Sequence, residues 1–291
     1  MFNFITDAEI VKKAYLELDN YRIEYSDNNQ ASDYCAIYFS SHDIYFPNND
    51  ASFNNSIFLK DHYEWCHCRI QKALKHIFLR DVHKQWFLSG INAKINSAEK
   101  LLAFLKSETD GMKVITIGSS AGGYAAIRFG EQLHAEQVLA FSPRLNFGYL
   151  LEHEWDTNPI ARNFKLSQID LLKTLSFKNS NVYAFYPIKS KLDQIQIDEL
   201  KKMSLYPVTE DKDIKLNIIP IATAHHGIPF PKAALQTVIN SPMSKLDKHA
   251  GLPVSPFKFA ADFIGWRKTI YGVYSQLYNG IRKILSRKLL K

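Results

Sequence analysis

A pair of serines flanked by glycines closes an apolar run: Lys113-Val-Ile-Thr-Ile-Gly-Ser-Ser-Ala-Gly-Gly-Tyr-Ala-Ala-Ile127. Within it, Gly118-Ser119-Ser120-Ala121-Gly122 is a G-x-S-x-G pattern. The residues before it suit a buried strand, and those from Ala121 onward suit a helix. A serine at so sharp a strand-to-helix turn holds its hydroxyl above the strand ends. The glycines remove Cβ atoms that would crowd the turn. The Ala121 N–H would lie at the helix N-terminus, where unpaired donors and the dipole favour an oxyanion. Ser120 is the candidate nucleophile and Ser119 its neighbour. A glycine-rich turn holding a phosphate is the competing reading. No G-x-x-x-x-G-K-[ST] occurs to support it, and no G-x-G-x-x-G opens the helix.

A serine hydroxyl is weakly nucleophilic until a base takes its proton. Two histidines, His225 and His226, follow a late strand on a loop bounded by Gly227 and Pro229. His226 is the preferred base, because Gly227 gives its loop latitude, and His225 is the rival. An orienting acid belongs beyond another strand's carboxyl end. Asp193 stands there, at the start of a helical pattern, and Asp198 is the rival about a turn further on. The competing role for Asp193 is a helix N-cap. The order Ser, acid, His is the hydrolase order. A second oxyanion donor would come from the loop after an early strand, Phe39-Ser40-Ser41-His42, with Ser41 and His42 as candidates and an ordinary turn as the alternative. Trp86 could stack on a sugar, and Arg144 could meet an anionic group. A core tryptophan and a solvated arginine are the plainer roles. Asp81 and Trp86 both follow a strand and would lie near the site's rim. His62, Cys66, His67 and Cys68 cluster, but the C-x-C spacing is too tight for a usual metal site, so no metal is expected.

The elements that must position these residues alternate along the chain. Strands are expected at Tyr21–Tyr25, Cys35–Ser40, His76–Leu79, Val114–Gly118, Gln137–Phe141, Val182–Tyr186 and Lys215–Ile221. Helical patterns run from Ser97 through Leu105, over Ala121–Leu133 and Ile195–Leu205, and from Pro231 through Val238. Strands alternating with helices imply an α/β fold with a mostly parallel central sheet and helices on both faces. The stretch 240–262 reads as a linker or irregular crossing.

The chain has 291 residues, 46% of them hydrophobic, and a formal charge of +7. It is long enough for a core that needs no disulfide or metal staple. Three cysteines suit a reducing compartment. No basic n-region precedes an apolar stretch, and no run approaches the ~18 apolar residues of a spanning helix. A cytoplasmic protein is expected. The charge is not spread evenly. Residues 258–291 hold eight basic side chains and one acidic one, Asp262, which leaves 28 of each sign in 1–257. The chain therefore divides into a body at 1–257 and a basic C-terminal helical segment at 258–291. That division argues against a general nucleic-acid partner. In the tail, Ile270, Val273, Leu277, Ile281 and Ile284 recur at helical spacing. Such a stripe either closes the domain's own core, the first expectation, or lies on anionic lipid as a peripheral membrane contact through 263–291.

Gly118–Tyr124, with Asp193 and His226 in that order, resembles the α/β-hydrolase superfamily. A narrower resemblance runs through Ile37–Ser41, Phe78–Asp81, Gln85–Ile91, Gly118–Ala126 and Ala140–Pro143. It is to bacterial serine hydrolases and acyltransferases associated with capsule and surface-glycan assembly. The resemblance implies a Ser120/Asp193/His226 triad acting on an acyl ester of a sugar and needing no cofactor. A deacylating esterase is the first expectation. An O-acetyltransferase using acetyl-CoA and the same triad is the alternative, and a non-catalytic assembly factor is a third.

Overall fold

The computed structural model describes residues 3–27, 32–147, 164–206, 213–275 and 278. Among the described residues, seven strands form one sheet: β1 (Tyr21–Tyr25), β2 (Tyr34–Phe39), β3 (Lys75–Leu79), β4 (Lys113–Ser119), β5 (Gln137–Phe141), β6 (Asn181–Pro187) and β7 (Leu216–Ile221). Their spatial order is β1-β3-β2-β4-β5-β6-β7, and only the β1–β3 pair is antiparallel. Strand β4 therefore lies mid-sheet, between β2 and β5, and delivers Ser120 to the centre of the carboxyl edge.

Buried strands need apolar residues on both faces. In β2, Cys35, Ile37 and Phe39 join one core cluster while Ala36 and Tyr38 join the other. Strand β5 splits the same way, Val138 and Ala140 against Leu139 and Phe141. The first face is covered by helices α1 (Ala98–Glu108), α2 (Ala121–Gln132) and α3 (Lys191–Lys202), through Leu101, Leu105, Tyr124, Ala125, Ile197 and Leu200. The second is covered by α4 (Leu235–Ile239) and α5 (Pro256–Ile264), through Leu235, Val238, Phe259 and Phe263. Full burial of one such side chain contributes about 1.5–3 kcal/mol. A third cluster ties the N-terminal helix Glu9–Glu17 to Tyr45, Phe53 and Ile57.

The C-terminal stretch departs from expectation. The stretch 240–262 holds helices rather than an irregular crossing, at Met243–Asp247 and in α5. Ser255 caps α5 by accepting the Lys258 N–H, and Pro256 supplies a preset first turn. The boundary expected after residue 257 falls inside α5, whose Phe259 is fully buried in the body. The tail stripe does not close the core at Ile270, which is 65% exposed. The helix at 266–275 instead packs inward through Thr269 and Gly272. Leu277, Ile281 and Ile284 lie outside the described residues. Among the described residues, no helix is long and apolar enough to cross a membrane.

Candidate active site

Strand β4 ends at Ser119, and Ser120 stands at the turn into α2 with φ 54° and ψ −115°. That backbone is sparsely populated for a residue with a side chain. The neighbouring glycines enforce it. A Cβ on Gly118 would lie 2.1 Å from the Gly122 carbonyl oxygen, and one on Gly122 would lie 2.3 Å from that of Phe39. Backbone is thus in direct contact across the turn, and only glycine fits at either position.

Asp193 reaches the site from α3. Ser190 caps that helix by accepting the Asp193 N–H, and Asp193, Gln196, Ile197 and Leu200 form its buried face. The spacing i, i+3, i+4, i+7 explains why the carboxylate points inward. Only 2% of Asp193 is exposed. Asp198 lies off that face, paired with Gln194 and Lys201.

His226 comes from the loop after β7. Its Nδ1 lies 2.8 Å from Asp193 Oδ2, and its Nε2 lies 3.0 Å from Ser120 Oγ. The structure therefore brings Ser120, His226 and Asp193 into one hydrogen-bonded line. His225 is exposed, and its backbone N–H donates to Thr223 Oγ1. Among the described residues its ring meets neither Ser120 nor Asp193.

A residue that sequence reasoning missed holds the His226 loop. The Ser142 hydroxyl donates to the Gly227 carbonyl at 2.8 Å and accepts the Gly227 N–H at 3.0 Å. Ser142 stands at the tip of β5 with φ 47°, and Gly227 needs φ 97°. The Lys189 N–H donates to the Thr223 carbonyl, joining the loop before Asp193 to the loop of His226. The available signal was the Phe141-Ser142-Pro143 sequence at a strand's carboxyl end.

The two N–H groups expected to face an oxyanion differ in what they meet, and Ser41 needs correction. Ala121 opens α2, and its N–H makes no hydrogen bond among the described residues. Ser41 donates both its N–H (2.9 Å) and its hydroxyl (2.8 Å) to the Glu64 carboxylate, so neither is aimed at a substrate. Burial pushes the Glu64 carboxyl up, against the bonds from Ser41. The next N–H, of His42, opens a 3-10 turn and has no partner among the described residues. It replaces Ser41 as the donor candidate from this loop.

The His42 ring is informative too. Its Nε2 is shut from solvent and has no hydrogen-bond partner among the described residues. Burial first, then the charges of Lys84 and Arg144, push this imidazole down to about 3, so it is neutral near pH 7. The Lys84 carbonyl favours a proton on the ring, which leaves Nε2 as a lone-pair acceptor when that proton sits on Nδ1. His42 follows β2 and Arg144 follows β5, on either side of β4. Their mutual influence therefore acts across the Ser120 elbow.

Trp86 is only 7% exposed, with its ring edge-on to His42 at 4.3 Å and to Phe147 at 5.3 Å. It offers no open face for a sugar, and the stacking expectation is corrected to a core wall behind His42. Asp81 organises the same loop. Its carboxylate accepts the N–H groups of His83, Gln85 and Phe87, while burial pushes it up to about 6. Lys84, Trp86 and Phe87 all carry positive φ in the loop so formed. Arg144 is half-buried. The Cys66 thiol donates to the Tyr63 carbonyl, and among the described residues no three His, Cys, Asp or Glu side chains group as metal ligands.

Comparison with known proteins adds the following. No family model matches the chain, and no curated protein does. Among solved structures it is similar to a Staphylococcus aureus protein of unknown function, at 12% identity and a TM-score of 0.48, over 79% of this chain and 94% of that one. It is also similar to the capsule O-acetyltransferase of Neisseria meningitidis serogroup A, at 13% identity and a TM-score of 0.43, over 70% and 85%. A third is esterase B of Lactobacillus rhamnosis, at 10% and 0.42, over 94% and 91%. The mostly parallel sheet with order β1-β3-β2-β4-β5-β6-β7, the helices on both faces and the strained serine at the β4–α2 turn make this an α/β-hydrolase-like fold.

Proposed function

We propose that the protein is a serine-nucleophile ester hydrolase that works through an acyl-enzyme, with esters of a surface glycan or its precursor as substrates. The observation that carries this reading is the continuous contact Ser120 Oγ–His226 Nε2 and His226 Nδ1–Asp193 Oδ2 at a helix N-terminus. His226 takes the Ser120 proton as Oγ attacks the ester carbonyl, and Asp193 stabilises the imidazolium. The carbonyl oxygen becomes an oxyanion held by the Ala121 and His42 N–H groups. The imidazolium then returns its proton to the departing alcohol oxygen, leaving an acyl-serine. Water, deprotonated by His226, releases the acid and restores Ser120.

Arg144 would serve an anionic group on the substrate. Three free cysteines fit a reducing, cytoplasmic setting.

A fluorophosphonate probe followed by mass spectrometry tests the mechanism. The adduct is expected on Ser120 and absent in Ser120→Ala. A folded sample with no label on Ser120 overturns the reading and returns the protein to a non-catalytic assembly role. Acetyl-CoA with and without a glycan acceptor distinguishes the two acyl fates. Transfer to sugar exceeding hydrolysis would replace the esterase by an O-acetyltransferase.

A further inference from the structure

The helix at 266–275 wears its side chains in an unusual arrangement. Its inward side holds the small residues Thr269 and Gly272 beside the half-buried Val273. Thr269 is fully buried, with its hydroxyl donating to the Gly265 carbonyl. At Gly272 an added Cβ would lie 2.5 Å from Ala233 Cβ. This close approach docks the helix on the turn that follows the His226 loop.

The outward face carries the large residues. Trp266 is 57% exposed, Ile270 65%, Tyr271 74%, Tyr274 67% and Tyr278 57%. Trp266, Ile270, Tyr274 and Tyr278 recur every four residues, and Tyr271 lies on the neighbouring row. At 3.6 residues per turn they share one side of the helix. Arg267 stands among them and Lys268 at their edge, both exposed. A groove of about 1200 Å³ runs along one flank and extends the apolar surface, lined by Ala233, Thr237, Ile264, Ile270 and Tyr274 among others.

Contiguous exposed apolar surface marks an interaction site. Charge and chemistry select the occupant. Tyrosine and tryptophan prefer a boundary that is apolar on one side and wet on the other. The formal excess of +7 lies wholly within 258–291, while 1–257 is neutral. Arginine and lysine set among aromatic rings bury their stems and keep their charges at headgroup level.

We propose that this face docks the protein on an anionic lipid bilayer, with the aromatic rings in the headgroup region and the basic residues against anionic lipid. The helix lies in the plane of the surface and does not span it. The docking does not depend on the catalytic reading, since it uses no triad residue.

The test is co-sedimentation of the full chain with vesicles of neutral phosphatidylcholine or of phosphatidylcholine with phosphatidylglycerol. The chain is expected to partition onto the anionic vesicles, to release as salt is raised, and to bind neutral vesicles at least about tenfold more weakly. Arg267→Gln with Lys268→Gln should weaken anionic binding by about 10- to 30-fold. Trp266→Ala, Tyr271→Ser and Tyr274→Ser together should weaken it by about tenfold or more even in low salt, because the apolar part is lost. Unchanged melting temperatures keep folding out of the comparison. Equal binding to both vesicle types, or none to either, overturns the proposal. So does a concentration-dependent dimer that dissolves in the aromatic variant without vesicle binding, which would make a second copy the occupant. Binding to nucleic acid that outcompetes the vesicles overturns it as well.

Discussion

Replacing Ser120 by glycine should make the fold more stable than replacing it by alanine. Ser120 sits at φ 54° and ψ −115°, and any residue with a Cβ is strained there. The strain has no local escape. Gly118 and Gly122 already touch backbone across the turn, at 2.1 and 2.3 Å for an added Cβ, so the elbow cannot open without moving β2 or α2. Such backbone costs roughly 1–3 kcal/mol for a non-glycine residue. Glycine avoids that cost but loses about 0.4–1 kcal/mol through its freer unfolded chain. The difference leaves Ser120→Gly about 1–2 kcal/mol more stable than Ser120→Ala. At roughly 2.1 cal/mol/K per residue of unfolding entropy, that is a rise of about 2–3 °C in Tm. Both variants lack the hydroxyl, so both should be inactive and the comparison isolates the backbone. Urea titration with matched slopes, supported by calorimetry, reads the difference. A glycine variant equal to or less stable than the alanine variant would refute the claim that the elbow is held under strain.

Ser142→Ala removes the two hydrogen bonds that hold Gly227. It should lower kcat by about 10- to 100-fold with KM little changed, because His226 loses its fixed position; steady-state kinetics on a small ester reads this, and an unchanged kcat would remove Ser142 from the positioning role. His42→Phe keeps the backbone N–H and replaces a ring whose Nε2 is shut from solvent. It should leave kcat/KM on a small activated ester within a few-fold, and a loss of about 100-fold or more in a folded variant would move the role from the N–H to the ring. His76 is buried between the Ser26 and Tyr38 hydroxyls, and burial pushes its imidazole down to about 4. The unfolded chain then binds the extra proton between about pH 6.5 and 4, so stability is full above 6.5 and falls as pH drops through that window, by about 2–3 kcal/mol. Urea midpoints against pH should show a shallower fall in His76→Gln; an unaltered slope would contradict the assignment.

The strands and the nucleophile turn were legible because their determinants are local. Continuous apolar runs mark β2 and β5, and Gly118 answers a contact with Gly122, four residues on. Asp193 and His226 could be placed by their position after strands, and the structure sets both within hydrogen-bonding distance of their neighbours in the line. Helix α5 was missed although Ser255-Pro256 is a readable start, because the prolines and serines of 240–262 dominated the composition. Ser41 misled for a different reason. Its N–H is captured by Glu64, which lies 23 residues on, and no periodicity announces such a contact. The tail misled because its inward side holds small residues. Thr269 and Gly272 carry no hydrophobic signal, yet they make the contact, while Ile270 and the aromatic rings face out.

The line from Ser120 to Asp193 also has a span. Ser120 follows β4, Asp193 follows β6 and His226 follows β7, so the loop that carries the imidazole reaches back over β6 and β5 towards β4, three inter-strand steps or about 14 Å at 4.8 Å each. Strand β5 lies under that span and contributes no member of the line, but its tip carries Ser142, which grips the crossing loop near mid-course. The separation of Ser120, Asp193 and His226 is therefore metered by the ladder of backbone hydrogen bonds beneath them. Loops at this edge can vary in length without disturbing it, provided the grip at Gly227 persists. A change that alters the sheet's twist, even one far from the carboxyl edge, would move all three groups together and detune the site without touching any of them.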